Sequence, residues 1–239
     1  MATTVLHKAN GRGHANHGWL DSHHTFSFGS YYNPEAMNFG ALRVLNDDVV
    51  SGGRGFGRHP HDNMEIISIP LDGDLQHQDS MGNTAIIRKG DIQAMSAGTG
   101  IYHSEMNANE NEKAKFLQIW IYPNQKNVEP RYDQLTLNLN DRHNRLQQVL
   151  SPNEGDEGIW IYQNAWFHMG KLDKDFKTTY QLKGGANNGV YAFVLNGDVR
   201  INNQFLNTRD GFGLWDTNSI DILAESDAEI LLMEVPMTF

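Results

Sequence analysis

Turn signals recur along this sequence at short intervals, and they constrain the fold more than any other feature. They comprise Asn46-Asp47-Asp48, Asp72-Gly73-Asp74, Met81-Gly82-Asn83, Lys89-Gly90-Asp91, Asn196-Gly197-Asp198 and Asp210-Gly211. Between them lie short runs rich in β-branched and aromatic residues, at 65–69, 115–122, 191–195 and 229–235. Regular short strands joined by tight turns read as an all-β sandwich or barrel. No sustained helical periodicity interrupts them. Helices are expected only as short pieces, near 125–132 or 141–150.

A faint internal repeat accompanies this rhythm. Gly73-Asp74 is followed by Gly90-Asp91 in the first half, and Gly197-Asp198 by Asp210-Gly211 in the second. The two copies are offset by about 120 residues, roughly one domain length. Gly-Asp turns are common in any β protein, so the repeat alone does not establish a duplication. The polar stretch 123–130 is the expected boundary, giving domains 1–130 and 131–239. With 39 % apolar and 20 % charged residues, the chain can pack globular cores.

Charge and cysteine content narrow the partners. The net charge of -10 disfavours direct nucleic-acid contact and anionic membrane surfaces, both of which call for Lys/Arg patches. No apolar run approaches the ~20 residues of a membrane-spanning helix, and the first residues lack the apolar core of a signal peptide. The expected location is the cytoplasm. With no cysteine in the chain, any bound metal must be held by His, Asp or Glu.

Nine of the 11 histidines lie in the first half; only His143 and His168 lie in the second. Two short stretches are informative. In His59-Pro60-His61, residues two apart on a strand share a face, so both imidazoles aim at one point. Glu65 is assigned the same parity. In His103-Ser104-Glu105, after the Gly98-Thr99-Gly100 turn, an imidazole and a carboxylate again share a face. Two such pairs meeting inside a barrel supply three imidazoles and one carboxylate. This set suits one divalent transition metal with open positions: Fe(II), Ni, Cu, Co, Mn or Zn. A lone His-x-His is more often a surface or turn feature; two same-parity pairs about forty residues apart are less often accidental. The histidines near the N-terminus, His14, His17, His23 and His24, offer a second metal site as an alternative, but the Gly and Asn around them read as a loop in structural use, with Phe26 and Phe28 on one strand face. His77 beside Asp79 reads as a turn or strand-end hydrogen bond, with pocket lining the lesser alternative.

These stretches resemble the cupin motifs, in the form found in pirins. The residues carrying the likeness are His59-Pro60-His61 through Glu65 and Gly73, the His77-Gln78-Asp79 segment, and the run from Met95-Ser96-Ala97-Gly98 to His103-Ser104-Glu105. The opening Arg12-Gly13-His14-Ala15-Asn16-His17-Gly18-Trp19-Leu20 resembles the bacterial branch. The spacing from Glu65 to Gly73 is longer than in the general cupin motif, and His103 lies further beyond its turn, as in pirins. The likeness is strong over 10–122 and looser beyond.

The resemblance implies two tandem cupin barrels with few short helices, with metal only in the N-terminal one. It assigns His59, His61, His103 and Glu105 as ligands to one metal per chain, with Fe(II) the first expectation. Glu105 doubles as a catalytic base, and Glu65 is expected just outside the ligand set. The implied activity is cleavage of flavonols such as quercetin with O2 and release of CO. The alternatives are a metal- or redox-dependent regulator that binds a transcription factor or metabolic enzyme, and an isomerase or epimerase on the same fold.

Overall fold

The computed structural model describes residues 2–239. The first half forms strands β1 (Thr3–His7), β2 (Gly13–Asn16), β3 (Leu20–His24), β4 (Leu42–Val50), β5 (Gly55–His61), β6 (Glu65–Asp72), β7 (Leu75–Asp79), β8 (Thr84–Ile87), β9 (Asp91–Ser96), β10 (Ile101–Asn107), β11 (Ala114–Ile121) and β12 (Arg131–Thr136). The second forms β13 (Leu146–Ser151), β14 (Ile159–Trp160), β15 (Trp166–Leu172), β16 (Lys177–Gln181), β17 (Asn188–Asn196), β18 (Val199–Ile201), β19 (Gln204–Leu206), β20 (Gly211–Trp215), β21 (Ser219–Ala224) and β22 (Ala228–Pro236). Helical structure among the described residues is limited to 3-10 turns at Ala9–Gly11, Leu139–Arg142 and Gly185–Asn187. The helix expected near 125–132 is absent there: that stretch is irregular and runs into β12. Of the helix expected at 141–150, one turn forms, and its remainder is β13. Among the described residues no helix is long and apolar enough to cross a membrane.

Each barrel pairs a seven-stranded sheet with a four-stranded one. The first has orders β12-β9-β6-β11-β4-β3-β2 and β5-β10-β7-β8; the second has β1-β20-β17-β22-β15-β13-β14 and β16-β21-β18-β19. The two sets correspond strand for strand except at the outer edge, where β2 is antiparallel to β3 and β14 parallel to β13. The β6–β7 turn at Gly73, which passes from the large sheet to the small one, matches the β17–β18 turn at Gly197, and both glycines have φ above +70°, which favours glycine. The faint Gly-Asp repeat marks these matching corners.

The correspondence shows an exchange that the turn signals do not. β12 is the edge strand against β9, and the equivalent edge against β20 is taken by β1, from the start of the chain. Strand pairing therefore does not follow the expected division at residue 130. Residues 131–136 complete the first barrel, and residues 3–7 complete the second.

The large sheets face each other across the main core. Ile67, Leu117 and Ile119 of one barrel meet Phe167, Phe193 and Met233 of the other. The second barrel is also filled inside, by aliphatic residues such as Leu172, Val194, Ile201 and Ile222. The first barrel carries only small apolar clusters at its flanks. Its interior is polar and partly open, which sets the position of the site.

Candidate metal centre

Strands β5 and β10 are antiparallel neighbours, with His59 opposite His103 and His61 opposite Ile101. Alternation points His59 and His61 inward from one strand, and Ile101, His103, Glu105 and Asn107 inward from the other. The register shifts between His103 and Glu105; such bulges re-aim side chains beside functional sites. The preceding turn depends on Gly98. Its φ is +48°, and a Cβ there would lie 2.1 Å from the Val128 carbonyl oxygen.

The structure brings His59, His61 and His103 together, with one donor atom from each within 4.8 Å of the others. The His59 Nδ1–H donates to the Gly57 carbonyl at 2.7 Å, which leaves Nε2 as the lone-pair nitrogen. Both ring nitrogens of His103 are buried without a hydrogen-bond partner. Burial, aided by the neighbouring imidazoles, pushes His61 down to about 4 and His103 to about 3. At neutral pH these rings are uncharged, the form in which imidazole binds a metal. Three convergent imidazoles, with the His103 nitrogens unpartnered, fit a divalent transition metal.

Glu105 lines the same cavity but stands outside the 4.8 Å group. It is 2 % exposed. Ser68 donates to its Oε1 at 2.7 Å, and Gln118 Nε2 donates to its Oε2 at 2.6 Å. These contacts leave further lone pairs free on each carboxylate oxygen.

Glu65 lies elsewhere. Its expected parity with His61 fails because Asn63, at φ +45°, turns the chain between β5 and β6. On β6, Ser68 faces the cavity, whereas Glu65 shares a face with Ile67 and Ile69, which pack in the inter-barrel core. Glu65 accepts from Ser96 Oγ at 2.7 Å and from the Tyr162 backbone N–H. Burial raises it to about 7 against those hydrogen bonds. It does not line the cavity.

The cavity encloses about 490 Å3, within the usual range for small-molecule sites, roughly 300–1,000 Å3. Its aromatic walls are Trp19, Phe28, Phe56 and Trp120. Trp120 stands edge-on to His61, with centroids 4.9 Å apart, and Phe28 packs against Trp120 at 5.4 Å. Phe26 and Phe28 do not share a face: Phe26 packs on Tyr191 in the inter-barrel core, and Phe28 lines the cavity.

The other histidines find separate roles. His77 is fully buried on β7 and bonds Asp79 Oδ2, at the end of that strand, at 3.1 Å; it sits 5.4 Å from His103, ring to ring. His14 and His23 stack on the surface of the β2–β3 hairpin beside Asp21, all three substantially exposed. The N-terminal histidine segment is thus largely a hairpin, with His17 and His24 on the cavity wall. His143 pairs with exposed Asp173.

Strand correspondence shows what occupies the matching positions of the second barrel. With Gly73 matched to Gly197, the His59–His103 pair corresponds to Tyr180–Ile220, and the His61–Ile101 pair to Leu182–Asn218. Glu105, opposite His77, corresponds to Ile222, opposite Ile201. None of these replacements is an imidazole or carboxylate. His168 lies on β15, apart from them, and burial pushes it down to about 3.

Comparison with known proteins agrees with this geometry. Residues 5–121 match the Pirin family model, and residues 148–235 match the model for the quercetinase C-terminal cupin domain. The chain is 47 % identical to quercetin 2,3-dioxygenase of Escherichia coli K12, over 97 % of this chain and 98 % of that protein. It is 40 % identical to a pirin-like protein of Caulobacter vibrioides, over 93 % and 95 % of the two chains. The crystal structure of the bacterial pirin YhhW from Escherichia coli, in complex with nickel(II), superposes with a TM-score of 0.92 at 45 % identity, covering 98 % of this chain and 99 % of that one. On fold, sequence and the histidine cluster in its first barrel, this chain belongs to the pirin family.

Proposed function

We propose that this chain is a metal-dependent dioxygenase that cleaves flavonols such as quercetin with O2, releasing CO. The observation that carries this reading is the convergence of three imidazoles on a cavity with aromatic walls. The quercetin 2,3-dioxygenase name of the Escherichia coli relative supports it. We assign His59, His61, His103 and Glu105 as ligands of one divalent metal per chain, with Fe(II) the leading candidate and Ni(II) next. When bound, the metal would hold the substrate's 3-hydroxyl oxygen and lower its pKa.

The residues supply the remainder. Glu105 is the nearest anionic group and takes the 3-hydroxyl proton; Ser68 and Gln118 hold its two oxygens and fix its orientation. Trp120 and Phe28 flank the flat substrate, while Trp19 and Phe56 close the far side and limit water access. The second barrel, with Tyr180, Leu182, Ile220 and Ile222 at the matching positions, is assigned a structural role without metal.

The test is quercetin absorbance loss by the reloaded protein, with and without chelator, in air and under strict anaerobiosis. Loss that needs both metal and oxygen is expected. Loss that persists without oxygen would replace this reading with isomerase chemistry.

A further inference from the structure

One wall of the cavity carries more polar groups than the metal chemistry uses. Strands β3, β4 and β11 lie side by side, with Ser22 opposite Asp48, His24 opposite Asn46, and Asn46 opposite Gln118. Ser22, His24, Asn46, Asp48 and Gln118 all line the cavity. Four of them, Ser22, His24, Asn46 and Asp48, are at most 5 % exposed. A sheet face this deeply buried is ordinarily apolar.

The hydrogen bonds of this wall are incomplete. Gln118 is engaged by Glu105, and Ser22 donates to one oxygen of Asp48. The Asn46 side-chain oxygen and His24 Nδ1 are buried without a partner. Leaving a buried acceptor unpaired costs stability. Such groups persist where they serve a ligand. Asn46 and Asp48 stand one pleat repeat apart, roughly 6–7 Å along the strand, and Leu20, Trp19 and Phe56 provide apolar surface around them.

We propose that Asn46 and Asp48 form a hydroxyl-reading subsite, in which their oxygens accept hydrogen bonds from phenolic O–H groups of an aromatic substrate other than the hydroxyl held at the histidines. The subsite selects polyhydroxylated rings over bare ones. A bare ring would leave the same buried oxygens unpaired, and sites of this kind reject the analogue that lacks the hydroxyl. Asn46 and Asp48 are thereby specificity-determining residues. The inference rests on the flavonol reading of the cavity.

The experiment is equilibrium binding to the full-length, Ni(II)-loaded protein in oxygen-free buffer. The probes are quercetin and 3-hydroxyflavone, which share the 3-hydroxy-4-keto end and differ in the remaining hydroxyls. Wild type should bind quercetin about tenfold or more tighter. Asn46→Leu should weaken quercetin by about tenfold, the loss of one or two hydrogen bonds, and leave 3-hydroxyflavone within about twofold. Asp48→Asn, which preserves shape, should shift the ratio in the same direction. Melting temperature and metal content identify any variant that misfolds.

A wild type that binds both probes equally, or neither, overturns the proposal. So does a ratio unchanged in both variants, or an equal loss for both probes. A separate assay in air keeps the two readings apart. If wild type prefers quercetin yet does not consume it, the dioxygenase reading fails and the subsite stands.

Discussion

Replacing Glu105 with Gln separates the charge of this residue from its place in the fold. The carboxylate accepts from Ser68 at 2.7 Å and from Gln118 at 2.6 Å. In Glu105→Gln the remaining oxygen still accepts from Gln118, and the Ser68 hydroxyl turns to accept from the new amide. Two charge-assisted bonds become neutral ones, a change of roughly 1 kcal/mol each, so about 2 kcal/mol of stability is lost. The protein stays folded. The metal keeps three neutral imidazoles and loses its anionic partner. Affinity should fall by at least the 10–100-fold typical when an outer partner of a metal ligand is removed, about 1.4–2.8 kcal/mol. Glu65→Gln is the control. Glu65 lies on the opposite face of its sheet, bonded to Ser96, and sites without shared partners act independently to within about 0.5 kcal/mol, roughly twofold. The assay is competition for Ni(II) against a chromophoric chelator, with circular dichroism to confirm folding. If Glu65→Gln empties the site while Glu105→Gln retains its metal, the ligand assignment is reversed.

Three further outcomes are expected. His168 is held at about 3 by burial against 6.5 when unfolded. The unfolded chain therefore binds more protons between those values, and stability is full above pH 6.5 and falls as pH drops through that window. His168→Gln should flatten the denaturation-versus-pH slope there by up to about 1.4 kcal/mol per pH unit, with metal content unchanged. Ile119→Ala, in the core between the barrels, should cost about 2–5 kcal/mol in a urea melt. Deleting residues 1–8 removes β1 from the second barrel and should cost on the order of 2–4 kcal/mol. The deletion opens the β20 edge to aggregation, visible by light scattering, while metal per folded chain is unchanged.

Some of this was legible in the sequence for local reasons. The Gly-Asp corners and the His59/His61 and His103/Glu105 pairs depend only on turn chemistry and the two-residue repeat of a strand, and they stand where those rules put them. Glu65 was misplaced because parity holds only within one strand, and Asn63 ends β5 before it. Asn46-Asp47-Asp48 reads as a turn but lies inside β4, where burial overrides the local preference. Asn46 and Asp48 face the cavity, and burial, augmented by the nearby charges of Asp47 and Glu105 and opposed by the Ser22 hydroxyl, raises Asp48 to about 7. Asp47 faces the other way and pairs with Arg12 and with Arg209 of the second half, at 3.3 and 3.0 Å. The exchange of β1 onto β20 joins residues more than 200 apart in sequence, and no local signal encodes such a partner. The aromatic walls come from β5, β11 and two loops, so they too emerge only from the assembled barrel.

The central claim is oxygen-dependent cleavage at the first-barrel metal centre. Its most direct test is stoichiometric: quercetin loss, oxygen uptake and CO release measured together on the Fe(II)- or Ni(II)-reloaded protein. The account predicts one O2 consumed and one CO released per quercetin, all three abolished by a His59→Ala, His61→Ala double variant that remains folded. Quercetin loss without matching oxygen uptake and CO, or full activity in that variant, would contradict it.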